Sequence, residues 1–288
     1  MIKQSNLSTG LDLDSLLALT EEVVYPGPYT APTNNGFHQG PFRVGVDLGS
    51  AYTSLIVTDA AGIPIAGEYQ YTHVTRDGLV VDYLGAVDIL VGMKHRIEER
   101  LGCELTHAVS GYPPGIPRAE VRATANVVEA AGMICPELID EPTAANNVLN
   151  LSDGLIVDIG GGTTGIAYVK AGKVVFSTDE PTGGVHFSLV IAGAKGIEFE
   201  EAEELKKDPL EQRKLFPTIR PVIEKIGSII MSNLNGHKPE TITLVGGTSI
   251  FPGITQVIEE VTGIPTMKPA RPLFVTSLGI ALHDRQGL

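Results

Sequence analysis

The chain has 288 residues, 43% hydrophobic and 19% charged, which excludes a disordered polymer and supplies enough material for one or two cored domains. A net charge of -13 excludes a cationic nucleic-acid surface, though a single nucleotide needs only a local nest of backbone N–H groups and a metal ion. No apolar run reaches bilayer length, the start is unlike a signal peptide, and Cys103 and Cys135 match no metal spacing; a reduced, cytoplasmic protein is expected.

Residues 1–25 read as an N-terminal amphipathic segment. From Leu11 to Val24 the apolar Leu13, Leu16, Leu17 and Val24 share one helical stripe, flanked by Asp12, Asp14, Glu21 and Glu22. Residues 26–41 are rich in proline, glycine and asparagine, the composition of a linker. The folded body is expected to begin near Phe42.

From there a unit repeats. Arg43–Asp47 is a strand, the turn Leu48-Gly-Ser-Ala follows, and Tyr52–Thr58 and Ile63–Ala66 are two further strands. The same order returns as Leu155–Asp158, Ile159-Gly-Gly-Gly, Thr163–Val169 and Lys173–Ser177. Aligning Asp47 with Asp158 lays Gly49 on Gly160, which predicts two similar lobes. Helices are expected over Gly85–Leu101 and Pro117–Ala131, with a strand at His107–Gly111 between them. Further helices are expected at Phe199–Lys207 and Pro217–Leu234, and Thr241–Val245 is a strand running into Gly246-Gly-Thr248. His73, His95, His107 and His186 have no mutual spacing that suggests a metal site.

A strand that ends in aspartate before a glycine turn brings N–H groups close to phosphate oxygens and sets a carboxylate beside a hydrated Mg²⁺. Gly160, Gly161 and Gly162 permit that approach, and Thr163 adds a hydroxyl. One Asp-X-Gly turn is usually a structural hairpin; two in register are harder to dismiss. Glu141, ahead of Pro142, is either a helix-capping residue or a third carboxylate that orients water or Mg²⁺.

These motifs, in this order, resemble the sugar kinase/Hsp70/actin superfamily. Asp47-Leu-Gly-Ser resembles its first phosphate motif, Asp158-Ile-Gly-Gly-Gly-Thr-Thr its second, and Leu244-Val-Gly-Gly-Thr248 its adenosine motif. The resemblance runs from about Phe42 to His283. It implies an actin-like ATPase fold: α/β, duplicated ribonuclease H-like lobes with a nucleotide cleft between them, in a compact form without an Hsp70 substrate-binding domain. Lobe I is expected over 42–150 plus 268–288 and lobe II over 151–267.

The resemblance also implies ATP or ADP with Mg²⁺. Asp47, Glu141, Asp158 and Thr163 are the implied catalytic set, with Asp47 and Asp158 holding Mg²⁺ through water. Nucleotide contacts are implied for Gly49, Ser50, Ala51, Tyr52, Gly160, Gly161, Gly162, Thr163, Gly183, Gly184, Glu203, Lys206, Gly246, Gly247 and Thr248. Stretches such as Val74–Val87 and Pro181–Leu189 resemble the ethanolamine-utilisation group of bacterial microcompartment operons. That implies a chaperone-like or reactivating ATPase whose protein client is a cobalamin-dependent ammonia-lyase or another microcompartment enzyme. It also implies a cytoplasmic location associated with the compartment.

Two positions depart from the pattern. Ala51 lacks the hydroxyl of Hsp70 proteins, and Gly165 stands where many ATP-hydrolysing relatives carry aspartate. Binding and turnover are separable, so binding is expected with weak hydrolysis at most. The alternative is a nucleotide-gated scaffold of the cell-division or pilus-assembly actin-like type. A small-molecule kinase fits less well, because no sugar-binding insertion is visible. Residues 11–24 are a candidate docking helix for a shell or cargo; the plain alternative is a helix folded back on the body.

Overall fold

The computed structural model describes residues 10–27, 40–76 and 78–285. In chain order the elements are α1 (Leu13–Val23), β1 (Val24–Pro26), β2 (Phe42–Leu48), β3 (Tyr52–Asp59), β4 (Pro64–Tyr71), β5 (Thr75–Arg76), β6 (Leu79–Val80), α2 (Tyr83–Leu101), β7 (Val109–Tyr112), α3 (Arg118–Ala130), β8 (Leu138–Asp140) and α4 (Glu141–Leu149). There follow β9 (Asp153–Ile159), β10 (Thr164–Lys170), β11 (Lys173–Glu180), α5 (Gly184–Lys195), α6 (Phe199–Lys207), α7 (Pro209–Ser232), β12 (Ile242–Val245), a 3₁₀ turn (Gly247–Ile250), α8 (Ile254–Thr262), β13 (Thr266–Met267) and α9 (Val275–His283). They form two compact units, the described residues of Met1–Leu151 with Phe274–Leu288, and Ser152–Leu273.

The first unit is built on a sheet of order β1-β4-β3-β2-β7-β8, and the second on β11-β10-β9-β12-β13. With β1 set aside, both follow one plan: a three-strand antiparallel meander whose first strand pairs in parallel with a fourth, which then pairs with a fifth. The duplication extends to register. Asp47 faces Ser54 and Asp158 faces Gly165, each seven residues along its hairpin (54 − 47 and 165 − 158). This is the actin-like fold.

Each sheet needs helices to cover its apolar face. In the first unit, α2 turns Ala86, Leu90, Met93, Ile97 and Leu101 inward, a 3.6-residue stripe. Asp82 caps its start by accepting from Gly85 N at 2.9 Å, and Gly102 ends it at φ 68°, a conformation that disfavours a side chain. In the second unit, α7 packs Leu215, Ile219, Ile223, Ile226 and Ile230 with Phe187 and Phe251. This helix begins at Pro209, eight residues before the expected start at Pro217. Asp208 is its N-cap and accepts from Leu210 N at 2.9 Å, so Asp208-Pro209 is the start signal, while Pro217 and Pro221 lie inside the helix.

The N-terminal segment is part of the first unit. Leu16 and Leu17 of α1 are fully buried, and Val24–Pro26 form β1, parallel to β4 with Val24 opposite Gly67. Burying two leucines contributes about 3–6 kcal/mol. Arg100 lies 5.3 Å from the Tyr25 ring centre and donates to Gly67 O at 2.8 Å; beneath them the buried Glu68 carboxylate pairs with Arg96 at 2.8 Å. The apolar stripe expected for docking is therefore engaged with the sheet. The expected linker falls mostly on residues 28–39, outside the described residues.

Candidate functional site

The second unit gathers most of the expected residues at the carboxyl ends of β9 and β12. Val245 pairs with Asp158, so the chain leaving β12 passes directly over the aspartate. Gly246 has φ 86°, and a Cβ there would stand 2.6 Å from Ile159 O, so only glycine permits this approach. The turn Gly160–Gly162 faces the start of α5. Gly183 lies so close that a Cβ would be 2.7 Å from Gly161 O and 2.8 Å from Gly160 O.

Hydrogen bonds fix the turn from behind. Gly160 O accepts from Gly184 N at 3.0 Å and from Thr248 Oγ1 at 2.7 Å, and Gly161 O accepts from Val185 N at 2.8 Å. With those carbonyls drawn inward, three successive N–H groups, of Gly161, Gly162 and Thr163, donate to no protein acceptor among the described residues. That is the chemistry of an anion nest. Gly183 N donates instead to His186 Nδ1 at 3.2 Å and Gly184 N to Gly160 O. These two glycines serve close packing, and Thr248 directs its hydroxyl into the turn.

Glu203 and Lys206 sit beside this cluster. Lys206 Nζ donates to Glu203 Oε2 at 2.6 Å and to Gly184 O at 3.1 Å, and Ser188 Oγ donates to the same carboxylate oxygen at 2.5 Å. Burial opposes ionisation of Glu203, but the ammonium and the Ser188 hydroxyl overcome it and hold the carboxyl below its usual range. Burial moves Lys206 the other way for a base, downward, against the pull of Glu203. Ser188 escaped the sequence reading because a serine in an apolar helix carries no signal of its partner 15 residues on.

The first unit holds Asp47, Gly49, Ser50, Ala51, Tyr52 and Glu141. Asp47 Oδ2 accepts from Ser277 Oγ of α9 at 2.7 Å, a contact across 230 residues that no local pattern announces. Gly49 packs under the carbonyl of Tyr52, where a Cβ would meet the oxygen at 2.8 Å. The Ala51 carbonyl accepts from Thr72 N, and the Tyr52 ring contacts Tyr69 and Tyr71 at 5.6 and 5.4 Å between centres. Ser54, opposite Asp47, is buried with no hydrogen-bond partner for its hydroxyl among the described residues. Glu141 is not the cap of α4; Asp140 is, accepting from Thr143 N at 3.0 Å. Glu141 Cγ lies 3.8 Å from where Gly111 would carry a Cβ, on the strand next to β2.

Among the described residues no group of three or more histidine, cysteine, aspartate or glutamate side chains could hold a metal directly. Among those residues, too, no helix is long and apolar enough to cross a membrane.

Known proteins resemble this chain in sequence and fold. The family model for MreB/Mbl protein matches residues 65–193 and that for cell division protein FtsA residues 155–279. The ethanolamine utilization protein EutJ of Escherichia coli is 38% identical over 249 residues, 86% of this chain and 88% of that protein. The chain belongs to the EutJ family. A crystal structure of EutJ from Carboxydothermus hydrogenoformans superposes with a TM-score of 0.85 at 41% identity, covering 94% of this chain and 98% of that one. MreB 5 of Spiroplasma citri bound to AMPPNP, at 19% identity and a TM-score of 0.70 over 85% of this chain and 96% of that one, shares the fold. A chaperone protein HscA homolog of Burkholderia lata is 28% identical over 72% of this chain, which spans 35% of that protein. In this chain Gly165 leaves the rung beside Asp158 without a side chain.

Proposed function

We propose that this EutJ-family chain binds Mg-ATP and hydrolyses it slowly as a chaperone or reactivating factor for a microcompartment enzyme such as ethanolamine ammonia-lyase. The observation that carries nucleotide binding is the nest of three N–H groups at Gly161–Thr163 beside the Asp158 carboxylate, backed by Gly246. Three oriented donors supply what phosphate oxygens require. Asp47 and Asp158 are the proposed water-mediated Mg²⁺ ligands, and Glu141 and Thr163 the groups that orient the attacking water. Glu203 and Lys206, locked together beside Gly184, are the proposed adenosine contacts.

The client and the compartment enter through family membership and through the likeness to HscA, a chaperone by name. Docking through residues 11–24 would use the outer face of α1, Asp14, Ser15, Glu21 and Glu22, because the inner face is buried in the sheet. The test titrates Mg-ATP and Mg-ADP into the full chain and measures phosphate release with and without inactivated lyase. Saturable Mg²⁺-dependent binding, with release stimulated by the lyase, is expected. Absence of nucleotide binding sinks the whole reading; binding with unstimulated release removes the lyase as client.

A further inference from the structure

β9, β10 and β11 lie side by side, with Gly165 paired to Asp158 on one flank and to Asp179 on the other. Residues directly opposite in an antiparallel ladder project to the same face. Two carboxylates therefore flank a glycine on the face that carries Asp158. Neighbouring strands are about 4.8 Å apart, so the missing side chain leaves a slot one residue wide between them. A Cβ at Gly165 would stand 3.7 Å from Asp179 Oδ1 and 3.8 Å from Asp158 Cβ, ordinary contacts. Gly165 is not among the glycines with positive φ, so neither space nor backbone demands glycine there.

This rung is the second below the glycine turn: Ile159 pairs with Thr164, and Asp158 with Gly165. Asp179 thus shares the rung and face of Asp158 from the edge strand of the sheet, with Oδ1 3.7 Å from where Gly165 would carry a Cβ. We propose that Asp179 is a catalytic carboxylate for ATP hydrolysis, filling from β11 the place that Gly165 leaves empty on β10; this rests on the nucleotide reading above. A water seated over Gly165 donates a hydrogen bond to Asp179. Its oxygen forms the new bond to the terminal phosphorus, and the bond from that phosphorus to the bridging oxygen breaks. ADP keeps the electron pair, and the water's proton passes through Asp179 to the phosphate product.

The experiment uses the full chain with Asp179→Asn, Asp179→Ala and the double variant Gly165→Asp/Asp179→Ala. Phosphate release, affinity for a fluorescent ATP analogue and melting temperature are read for each. Loss of a proton acceptor of this kind costs about a hundredfold in rate; that loss is expected in both single variants, with analogue affinity and melting temperature kept. Gly165→Asp, restoring a carboxylate over the same slot, is expected to recover most of the rate. Release unchanged in the single variants, a rate lost only together with affinity and melting temperature, or no recovery in the double variant each overturn the proposal. So does an unsubstituted chain that binds the analogue and releases no phosphate, and that result leaves the binding reading intact. A chain that binds no nucleotide fails at the earlier step and removes both.

Discussion

Asp47 and Asp158 occupy equivalent rungs of duplicated sheets, yet their surroundings diverge. Around Asp47 the rung continues into Ser54 and Tyr69, an aromatic group of Tyr52, Tyr69, Tyr71 and Phe274 packs nearby, and α9 holds the carboxylate through Ser277. Around Asp158 the rung continues into Gly165 and Asp179, and the support comes from close-packed glycines at 183, 184 and 246. One hairpin is braced mainly by side chains and the other mainly by backbone. A duplicated backbone plan therefore fixes where two carboxylates stand without fixing what each can do.

The sharpest way to break this contrast is at the backbone-braced hairpin. Gly183→Ala drives a methyl into the carbonyls of Gly160 and Gly161, costing about 3 kcal/mol by denaturant unfolding and distorting the N–H nest so that nucleotide affinity falls with it. Gly165→Ala, with open space, should stay within about 0.5 kcal/mol of the parent. Equal effects would show that the glycines are not what braces the second hairpin.

Next in size is Ser277→Ala. Removing a hydrogen bond to a carboxylate costs about 1.5–3 kcal/mol, so stability of the first unit and Mg²⁺-dependent affinity should both drop, while Ser277→Thr retains part of each. If calorimetric titration finds affinity untouched, Asp47 does not depend on α9.

The smallest effects are pH linkages of opposite sign. In the first unit His107 Nε2 lies 2.9 Å from the buried Asp284 carboxylate, off the line of a good N–H bond, and that contact still raises the imidazole's affinity for its proton. A raised folded value means this stabilisation is complete below pH 6.5, the ordinary histidine value, and is lost as pH rises through the folded one. In the second unit Glu203 is lowered, so its contribution is complete above pH 4.5, its ordinary value, and is lost as pH falls through the folded one. His107→Gln should flatten the alkaline side of a stability-against-pH curve, and Glu203→Gln the acidic side. A variant that flattens the wrong side would contradict its assigned pair.

Much of the fold was legible in the sequence because its signals are local. The short apolar strand patterns of Arg43–Asp47 and Leu155–Asp158, the glycine turns, and the apolar stripe of Gly85–Leu101 each sit within one element, and the elements appear where those signals lie. The start of α7 lies before its interior prolines, Pro217 and Pro221, because the Asp208-Pro209 cap carries the start signal. Residues 24–26 look in sequence like a helix end and linker, since three residues cannot announce a partner 43 positions away, as Val24 opposite Gly67 requires. In the site, the aspartates and glycines were visible as motifs. Ser54, Ser188, Ser277 and Asp179 were not, because each acquires its meaning from a neighbour that only the sheet or the helix packing supplies.

The short strand β1 has a consequence for solubility. An open sheet edge offers unpaired N–H and C=O groups on which another chain can extend the ladder. By lying along Gly67–Tyr69, residues Val24–Pro26 occupy that edge of β4, and Arg100 and the Glu68–Arg96 pair tie the neighbouring chain down. Trimming the segment would uncover the edge along with the seats of Leu16 and Leu17, so a shortened chain should be prone to self-association through the very strand that its own first residues now seal.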